Sequence, residues 1–204
     1  MISTFTAFFD ANVFYGARLR SLILFLAQTK LFRARWSDRV HDEWIRNLLE
    51  KRPSFQRADL MRTRQLMDAA VLDALVTGYE PLINAMDLPE PDDRHVLAAA
   101  VVCKASCIVT FNISDFPEES LTPYGLHAVH PDNFLRDVES VDPAAFADAV
   151  WEDLDHYRTP PLDLPEYVVA LRKAGVPRIA EQISKLARSL NAARLRPFNT
   201  RSRS

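Results

Sequence analysis

Four acidic residues in this sequence stand beside apolar segments, where an ionised carboxylate is costly without a partner. They are Asp10 after "STFTAFF", Glu43 before "WI", Asp93 before "RHVLAAA", and Asp115 after "CIVTFNIS". A carboxylate near the core must be paired, hydrogen-bonded or bound to a metal ion. Mg²⁺ and Mn²⁺ prefer carboxylate oxygens, and such an ion activates water and neutralises charge on a phosphate. The four residues therefore predict a site for one or two divalent ions, suited to hydrolysis at phosphorus.

The elements around these acids indicate how they could meet. Residues 5–9 and "CIVTF" are short apolar runs typical of buried strands, and "LHAVHP" indicates one more strand. Apolar spacing predicts helices over residues 18–31 and 38–51 and one or two more over residues 55–76, with Gly78 as the stop signal. This order predicts an α/β fold with a central parallel sheet. Asp10 and Asp115 then follow strands at one sheet edge, and Asp93 at a helix start faces the same side.

Each acid also has a simpler interpretation, which the sequence leaves open. Residues 88–91 are expected to be extended because of the prolines at 89 and 91, so Asp92 or Asp93 is predicted to cap the helix "RHVLAAAVVCKA". Asp10 suits a turn in which it bonds its own backbone. Glu43 suits an exposed helix face, and Asp115 suits a polar loop. The joint placement of the four favours the metal site.

Composition excludes several classes of protein. The chain has 204 residues, 48% of them apolar, and a net charge of −2, so a sizeable core is expected and no partner follows from total charge. No run approaches the roughly 18 apolar residues of a membrane span, and no secretory signal is evident. We therefore expect a soluble, cytoplasmic protein with no membrane association. Four glycines form no phosphate-binding loop, and Cys103 and Cys107 suit buried thiols.

The composition changes along the chain, which predicts three parts. "DPAAFADAVWEDLDHY", "YVVALRKA" and "IAEQISKLARSL" indicate helices after residue 141, with the proline-rich "RTPPLDLPEY" as a connector. We predict an α/β domain over 1–138, a helical extension over 139–190 and a disordered basic tail over 191–204. Charge alternates too. Lys and Arg outnumber Asp and Glu by 12 to 5 in residues 18–64 and by 9 to 1 in 167–204, but are outnumbered 2 to 9 in 136–166. This alternation of charge would be explained either by solvated helix faces or by a basic surface that binds a polyanion.

Four motifs together resemble the PIN-domain ribonucleases, in particular the toxins of VapBC-type toxin–antitoxin pairs. They are "FFDANVFYG", "WSDRVHDEWIRNL", "PDDRHVLAAAVV" and "IVTFNISDFP", and the similarity covers roughly residues 4–135. The resemblance implies an α/β/α sandwich with a parallel sheet, RNA cleavage with Mg²⁺ or Mn²⁺, and a small antitoxin partner. It also implies a homodimer or a hetero-oligomer with the antitoxin.

The resemblance assigns site residues by position in these motifs. The first acid of the family matches Asp10, and its helix glutamate matches Glu43. The third acid matches Asp93 best, with Asp92 as the alternative. Many members carry the fourth acid two residues after the strand's threonine, where this chain has Asn112. Asp115 is expected to serve instead, so this departure concerns the site of a second metal ion more than that of the first.

Several further residues are candidates to support the site. Asn12 could orient Asp10 or a water, and Thr110 could bond a metal-binding carboxylate, although both suit ordinary turn and strand positions. His95 is expected to be a helix-face histidine rather than a base. The basic stretch offers candidates to contact an RNA backbone, where charge neutralisation supplies most sequence-independent affinity. These are Arg18, Arg20, Arg39 and Arg46.

The hypothesis from the sequence is a metal-dependent endoribonuclease that leaves a 5′-phosphate and a 3′-hydroxyl. The main alternative is a catalytically inactive PIN-like RNA-binding or regulatory module, because Asn112 replaces an acid. A DNA nuclease would use the same chemistry. A phosphoaspartyl hydrolase is disfavoured, since Asn12 occupies the third position of its D-x-D motif. The helical extension is expected to pack on the nuclease domain, its acidic part serving an antitoxin surface or its basic part an RNA surface.

Overall fold

The computed structural model describes residues 5–158 and 161–194, and a five-stranded parallel sheet lies at the centre of this part. The strands are β1 (Thr6–Phe9), β2 (Arg33–Ser37), β3 (Leu75–Val76), β4 (Cys107–Val109) and β5 (His127–Val129), in the order β3-β2-β1-β4-β5. All four neighbouring pairs are parallel, and Phe9 pairs with Val109 across β1 and β4. The predicted α/β fold with a parallel sheet is confirmed.

Helices cover the sheet in an α/β/α arrangement and continue into the C-terminal region. Their bounds are α1 (Ala17–Gln28), α2 (Asp38–Lys51), α3 (Arg57–Ala70), α4 (Arg94–Val102), α5 (Glu118–Leu121), α6 (Pro131–Val141), α7 (Pro143–His156), α8 (Leu164–Lys173) and α9 (Pro177–Arg194). The apolar helix α4 packs on β1, β2 and β4. Because Ser37 accepts a hydrogen bond from the Val40 N–H, α2 begins where the sequence predicts.

An aromatic cluster holds α6 against the sheet. The Phe134 ring meets Phe9 at 5.4 Å and Phe32 at 5.0 Å between centroids, both nearly edge to face. All three side chains are buried, so their packing stabilises this contact beyond the area removed from water. Helix α6 runs through residue 138, and the division of the chain near that residue stays a prediction.

Two strands were not predicted. Residues 55–76 contain one helix that ends at Ala70, and Leu75–Val76 form β3, so the prediction of helix up to Gly78 is wrong. Gly78 adopts a positive φ of 77° after β3 and ends no helix. Strand β3 has two residues, and its pairing of Leu75 with Trp36 of β2 is a tertiary interaction without a local signal.

The segment before α4 differs from the expectation in a way that matters for the acids. Pro91–Asp93 form a short 3₁₀ turn, so the residues are not extended as far as Pro91. Glu90 caps this turn by accepting from the Asp92 N–H at 3.4 Å. Asp93 occupies the N-cap position of α4, but its carboxylate accepts no hydrogen bond from the helix. Asp93 is therefore at the predicted N-cap position, but it does not make the side-chain hydrogen bond of a capping aspartate.

The C-terminal helices pack directly on the sheet-containing part. Helix α7 lies along α1, and α8 pairs with α9. Buried Asp153 of α7 joins three helices, accepting from Ser21 Oγ of α1 at 2.5 Å and Tyr167 OH of α8 at 2.6 Å. Asp132 caps α9 by accepting from the Arg178 and Ile179 N–H groups.

The predicted tail and connector lie only partly within the described residues. Helix α9 runs to Arg194, and residues 195–204 of the tail lie outside the described part. Residues 159–160 of the connector also lie outside it. Cys103 is half-buried and Cys107 is buried, and burial raises the pKa of these thiols to about 11 and about 12. Across residues 5–158 and 161–194, no helix is long and apolar enough to cross a membrane.

Candidate active site

The site lies where the strand order reverses. From β1 the sheet continues outward through β2 on one side and β4 on the other, and functional crevices form outside the carboxyl ends of such a pair. Asp10 directly follows β1, and Thr110 directly follows β4. The Asp10 N–H donates to the Val109 carbonyl at 3.0 Å, which extends the pairing of the two strands to the site. The topology therefore brings Asp10 and Thr110 side by side.

Hydrogen bonds fix the Asp10 carboxylate on both oxygens. Oδ1 accepts from the Ala11 N–H at 2.6 Å, and Oδ2 accepts from Thr110 Oγ1 at 2.7 Å and Asn12 Nδ2 at 2.6 Å. Asn12 is held in turn, because its Oδ1 accepts from the Phe111 N–H at 3.1 Å. Asp10 thus bonds its own backbone, as the turn interpretation expects, and also contacts both residues predicted to support it.

Burial makes the charge of Asp10 unfavourable. The residue is 5% exposed, and burial raises its pKa to about 6 against the lowering effect of the hydrogen bonds from Thr110 and Ala11. The negative charge of Glu43 raises the pKa further, and nearby His95 lowers it. Asp10 is therefore close enough to Glu43 for the two charges to interact, although 33 positions separate them in the sequence.

Asp93 interacts with all three other acids. Partial burial raises its pKa to about 7, and the charges of Asp10, Asp115 and Glu43 act in the same direction. Glu90 contributes a smaller effect of the same sign. The neighbouring Asp92 is exposed, whereas Asp93 is half-buried. Of the two candidates for the third acid, Asp93 is the one that interacts with the other carboxylates.

Glu43 has a partner that the sequence analysis missed. His95 Nε2 lies 2.7 Å from Glu43 Oε1, and the imidazole is fully buried. His95 Nδ1 is buried with no hydrogen-bond partner among the residues described. His95 lies on a face of α4, as expected, but that face is buried and the ring contacts Glu43 of α2. Its position two residues after Asp93 is the one sequence feature that relates it to the acids.

Asp115, the candidate fourth acid, and the amide residue Asn112 lie in the segment that follows β4. Ile113–Asp115 form a 3₁₀ turn, in which half-buried Asp115 accepts from Ser114 Oγ at 3.3 Å. Asn112 is exposed, and its backbone N–H donates to Thr110 Oγ1 at 3.0 Å. Asn112 therefore helps to hold, through its main chain, the threonine that bonds Asp10.

The donor set fits a hard divalent cation, although its members are not already gathered. Within the described part of the chain, no group of three or more His, Cys, Asp or Glu side chains is arranged to hold a metal ion. Burial and mutual repulsion nevertheless raise the pKa values of both Asp10 and Asp93. A cation would remove this penalty, and carboxylate oxygens suit Mg²⁺ or Mn²⁺. These side chains would have to turn towards one another to share an ion.

Tyr15 borders the carboxylates and was also missed. Asn47 Nδ2 donates to its hydroxyl oxygen, and Lys51 Nζ lies 5.3 Å from the centre of its ring. Burial raises the pKa of Tyr15, and the charges of Asp10 and Glu43 raise it further. The ring is therefore close to the acids while its other side faces the end of α2.

The four predicted RNA-binding arginines have different surroundings. Arg18 stacks 3.6 Å from the centre of the Tyr157 ring. Arg20 donates to the Phe14 carbonyl at 2.5 Å, and burial lowers its pKa to about 10. Arg39 and Arg46 are exposed. Arg18 and Arg20 contact groups of the protein itself, and a role of any of the four in RNA binding stays a prediction.

Comparison with known families assigns both parts of the chain. The PIN domain family model matches residues 6–114, and the model of the VapC50 C-terminal domain matches residues 131–185. This chain belongs to the PIN-domain family. The PIN match contains Asp10, Glu43 and Asp93 and ends one residue before Asp115. The second match covers α6 to α8 and the first half of α9.

A curated relative agrees with the family assignment. The putative ribonuclease VapC50 of Mycobacterium tuberculosis (strain ATCC 25618 / H37Rv) is 39% identical over 113 residues, which are 55% of this chain. The match spans 66% of that protein, slightly less than two thirds of its length. No solved structure matches this chain. The resemblance to PIN-domain proteins with a VapC-like helical extension is confirmed.

Proposed function

We propose that this PIN-domain protein is a Mg²⁺- or Mn²⁺-dependent endoribonuclease and the toxin of a toxin–antitoxin pair. One observation carries the proposal: the buried Asp10 carboxylate is fixed by Thr110 and Asn12 where β1 and β4 end, and Glu43 and Asp93 are close enough to interact with its charge. A group of acids with this unfavourable charge, at the carboxyl end of a parallel sheet, suits cation-dependent chemistry. The relative named as a putative ribonuclease supports RNA as the substrate.

Asp10, Glu43, Asp93 and Asp115 are the residues proposed to hold the cation. When bound, such an ion supplies positive charge that favours ionisation of water and offsets the negative charge developing on a phosphate. Thr110 and Asn12 keep the Asp10 carboxylate in one orientation, and His95 restrains Glu43. Attack of water on phosphorus with loss of the 3′ oxygen would leave a 5′-phosphate and a 3′-hydroxyl.

A small antitoxin is the proposed protein partner. A ribonuclease without an inhibitor harms the cell that makes it, so we propose cytoplasmic complexes in which an antitoxin masks the site. Homodimers or hetero-oligomers with the antitoxin are the proposed assemblies. One observation favours a second candidate, a catalytically inactive RNA-binding module: Asn112, exposed beside the site, stands where many relatives have an acid.

A cleavage assay with matched substrates tests the proposal. Wild-type protein is incubated with RNA and DNA oligonucleotides of one sequence, with Mg²⁺, with Mn²⁺ or with EDTA. We expect cleavage of RNA only when a divalent ion is present. Asp10→Asn and Asp93→Asn should each reduce the rate by more than about 100-fold, since loss of a supporting residue alone costs 10–100-fold at metal sites. Asp92→Asn is the matched control and should stay close to wild type.

The same assay separates the rival functions. Equal cleavage of DNA would indicate a nuclease that does not read the 2′-hydroxyl. Folded wild-type protein that binds RNA but cleaves neither substrate would support the inactive module. Cleavage that persists in EDTA would contradict the metal dependence.

A further inference from the structure

A cleft opens beside the carboxylates and includes the C-terminal extension in its wall. Its volume is about 450 Å³, within the roughly 300–1,000 Å³ of ligand-binding pockets. Asn12 and Tyr15 line the side next to the acids, and Lys51 and Arg52 come from the end of α2. Another part of the wall comes from the C-terminal extension, namely Lys173 at the end of α8 and the turn residues 174 and 175 that follow it. Because Asn12 also bonds Asp10, the cleft begins where the carboxylates lie.

The cleft has the opposite charge to the neighbouring acids. Lys51, Arg52 and Lys173 all line it and are all exposed, and none of its lining residues is acidic. Lys51 Nζ lies over the Tyr15 ring, 5.3 Å from its centre, so its charge is next to a residue that also borders the acids. Three cations in one concave surface, with no acid among the described residues that line it, favour a polyanionic ligand.

Close backbone contacts hold the α8–α9 turn in this position. A methyl group added at Gly16 would lie 3.1 Å from Ala174 Cβ, and one added at Gly175 would lie 2.8 Å from Phe111 Cε1. Gly175 has a φ of 90°, which favours glycine. The turn therefore fits between two segments that follow β1 and β4, and this fit places Lys173 at the cleft.

We infer that the C-terminal extension completes an RNA-backbone subsite, in which Lys51, Arg52 and Lys173 bind phosphates of the strand next to the cleavage point. The inference rests on the proposed ribonuclease function. A strand with one phosphate at the carboxylates has to continue across the neighbouring surface, and the cleft begins at Asn12 and Tyr15. The cations neutralise the flanking phosphates, as in sequence-independent binding of nucleic acids.

Two charge reversals on the same helix test the subsite. Lys173→Glu changes a residue in the cleft, whereas Arg172→Glu changes the preceding exposed residue, which does not line the cleft. Binding of a fluorescein-labelled single-stranded RNA of about 12 nucleotides is measured by anisotropy in EDTA, over a range of salt concentrations. Lys173→Glu should raise Kd by about fivefold or more and reduce the salt slope by at least about 0.7, since one phosphate contact is lost. Arg172→Glu should have a much smaller effect, and Lys173→Arg should restore binding.

The possible outcomes each decide the inference. Equal Kd values and salt slopes for Lys173→Glu and Arg172→Glu would overturn the inference. It would also be overturned if polyglutamate displaced the labelled RNA as effectively as unlabelled RNA does, because the ligand would then be an acidic protein segment. Thermal unfolding of both variants checks that Lys173→Glu is folded. Failure of the ribonuclease proposal is distinct, because wild-type protein would then cleave no RNA in Mg²⁺ while the two variants still differed in RNA binding.

Discussion

Gly175 of the C-terminal extension lies directly against Phe111, the second residue after β4, with the φ of 90° that its turn requires. The Phe111 N–H donates to Asn12 Oδ1, and Asn12 Nδ2 donates to Asp10. Three contacts therefore connect the extension to a carboxylate of the candidate site. The extension supports the geometry of the PIN domain as well as adding a surface to it.

Substituting Gly175 tests this packing. Gly175→Ala should lower the free energy of unfolding by about 1–3 kcal/mol more than Gly78→Ala, the range expected for overpacking. Both glycines have a positive φ, so both substitutions introduce backbone strain, but a methyl group at Gly78 would meet nothing within 4 Å. Urea unfolding of the two variants measures the difference. Equal losses of stability would show that Gly175 does not depend on Phe111.

Asp153 is expected to be a structural link between α1, α7 and α8. Asp153→Ala leaves the hydroxyl groups of Ser21 and Tyr167 without their acceptor, so it should cost about 2–4 kcal/mol of unfolding free energy. Asp155→Ala changes an exposed carboxylate on the same helix and should have little effect. A similar loss in both variants, measured by urea unfolding, would rule out the link.

The hydrogen bonds of the buried His41 ring predict that the protein is less stable in mild acid. Trp44 Nε1 donates to His41 Nδ1 at 2.9 Å, and His41 Nε2 lies 3.0 Å from Asp68 Oδ1, so the buried ring bonds both partners in its neutral form. Burial lowers the pKa of His41 below 6.5 despite Asp68. The neutral ring therefore stabilises the fold above pH 6.5, and this contribution is lost as the pH falls from 6.5 through the lowered folded pKa.

The unfolding free energies of wild type and two histidine variants are compared at two pH values. The difference in unfolding free energy between wild type and His41→Gln should fall between about pH 7 and pH 5.5, by up to about 1.4 kcal/mol per pH unit. His127→Gln removes an exposed histidine as the control, and its difference from wild type should stay constant. If the difference in unfolding free energy between wild type and His41→Gln were also constant, the stabilising role of the neutral His41 ring would be contradicted.

Local sequence was sufficient where an element has its own pattern. Asp10 and Asp115 could be placed after strands because each follows an apolar run that is long enough for a buried strand. Strand β2 was not predicted: its sequence RARWS alternates arginine with apolar residues, as a half-buried strand does, but the run has five residues and lies between two predicted helices. It forms through pairing with β1 and β3. The weakest predictions were therefore those that depend on strand pairing.

Contacts between distant residues explain the rest of what was missed at the site. His95 and Glu43 are 52 positions apart, and neither local pattern indicates the other. The capping role expected for Asp93 follows a general preference, but here Glu90 and the 3₁₀ turn precede the helix and leave the Asp93 carboxylate uninvolved in capping. The cleft beside the carboxylates likewise includes residues of α8, which begins 149 positions after Tyr15.

Binding of Mn²⁺ to the whole chain, measured by isothermal titration calorimetry, tests the central claim most directly. The account predicts saturable binding by wild type, at least about tenfold weaker binding by Asp93→Asn, and a change within about twofold for Asp92→Asn, whose exposed charge is screened by solvent. Folded wild-type protein that binds no Mn²⁺, or equal affinities for the two variants, would contradict a cation site built on the acids around Asp93.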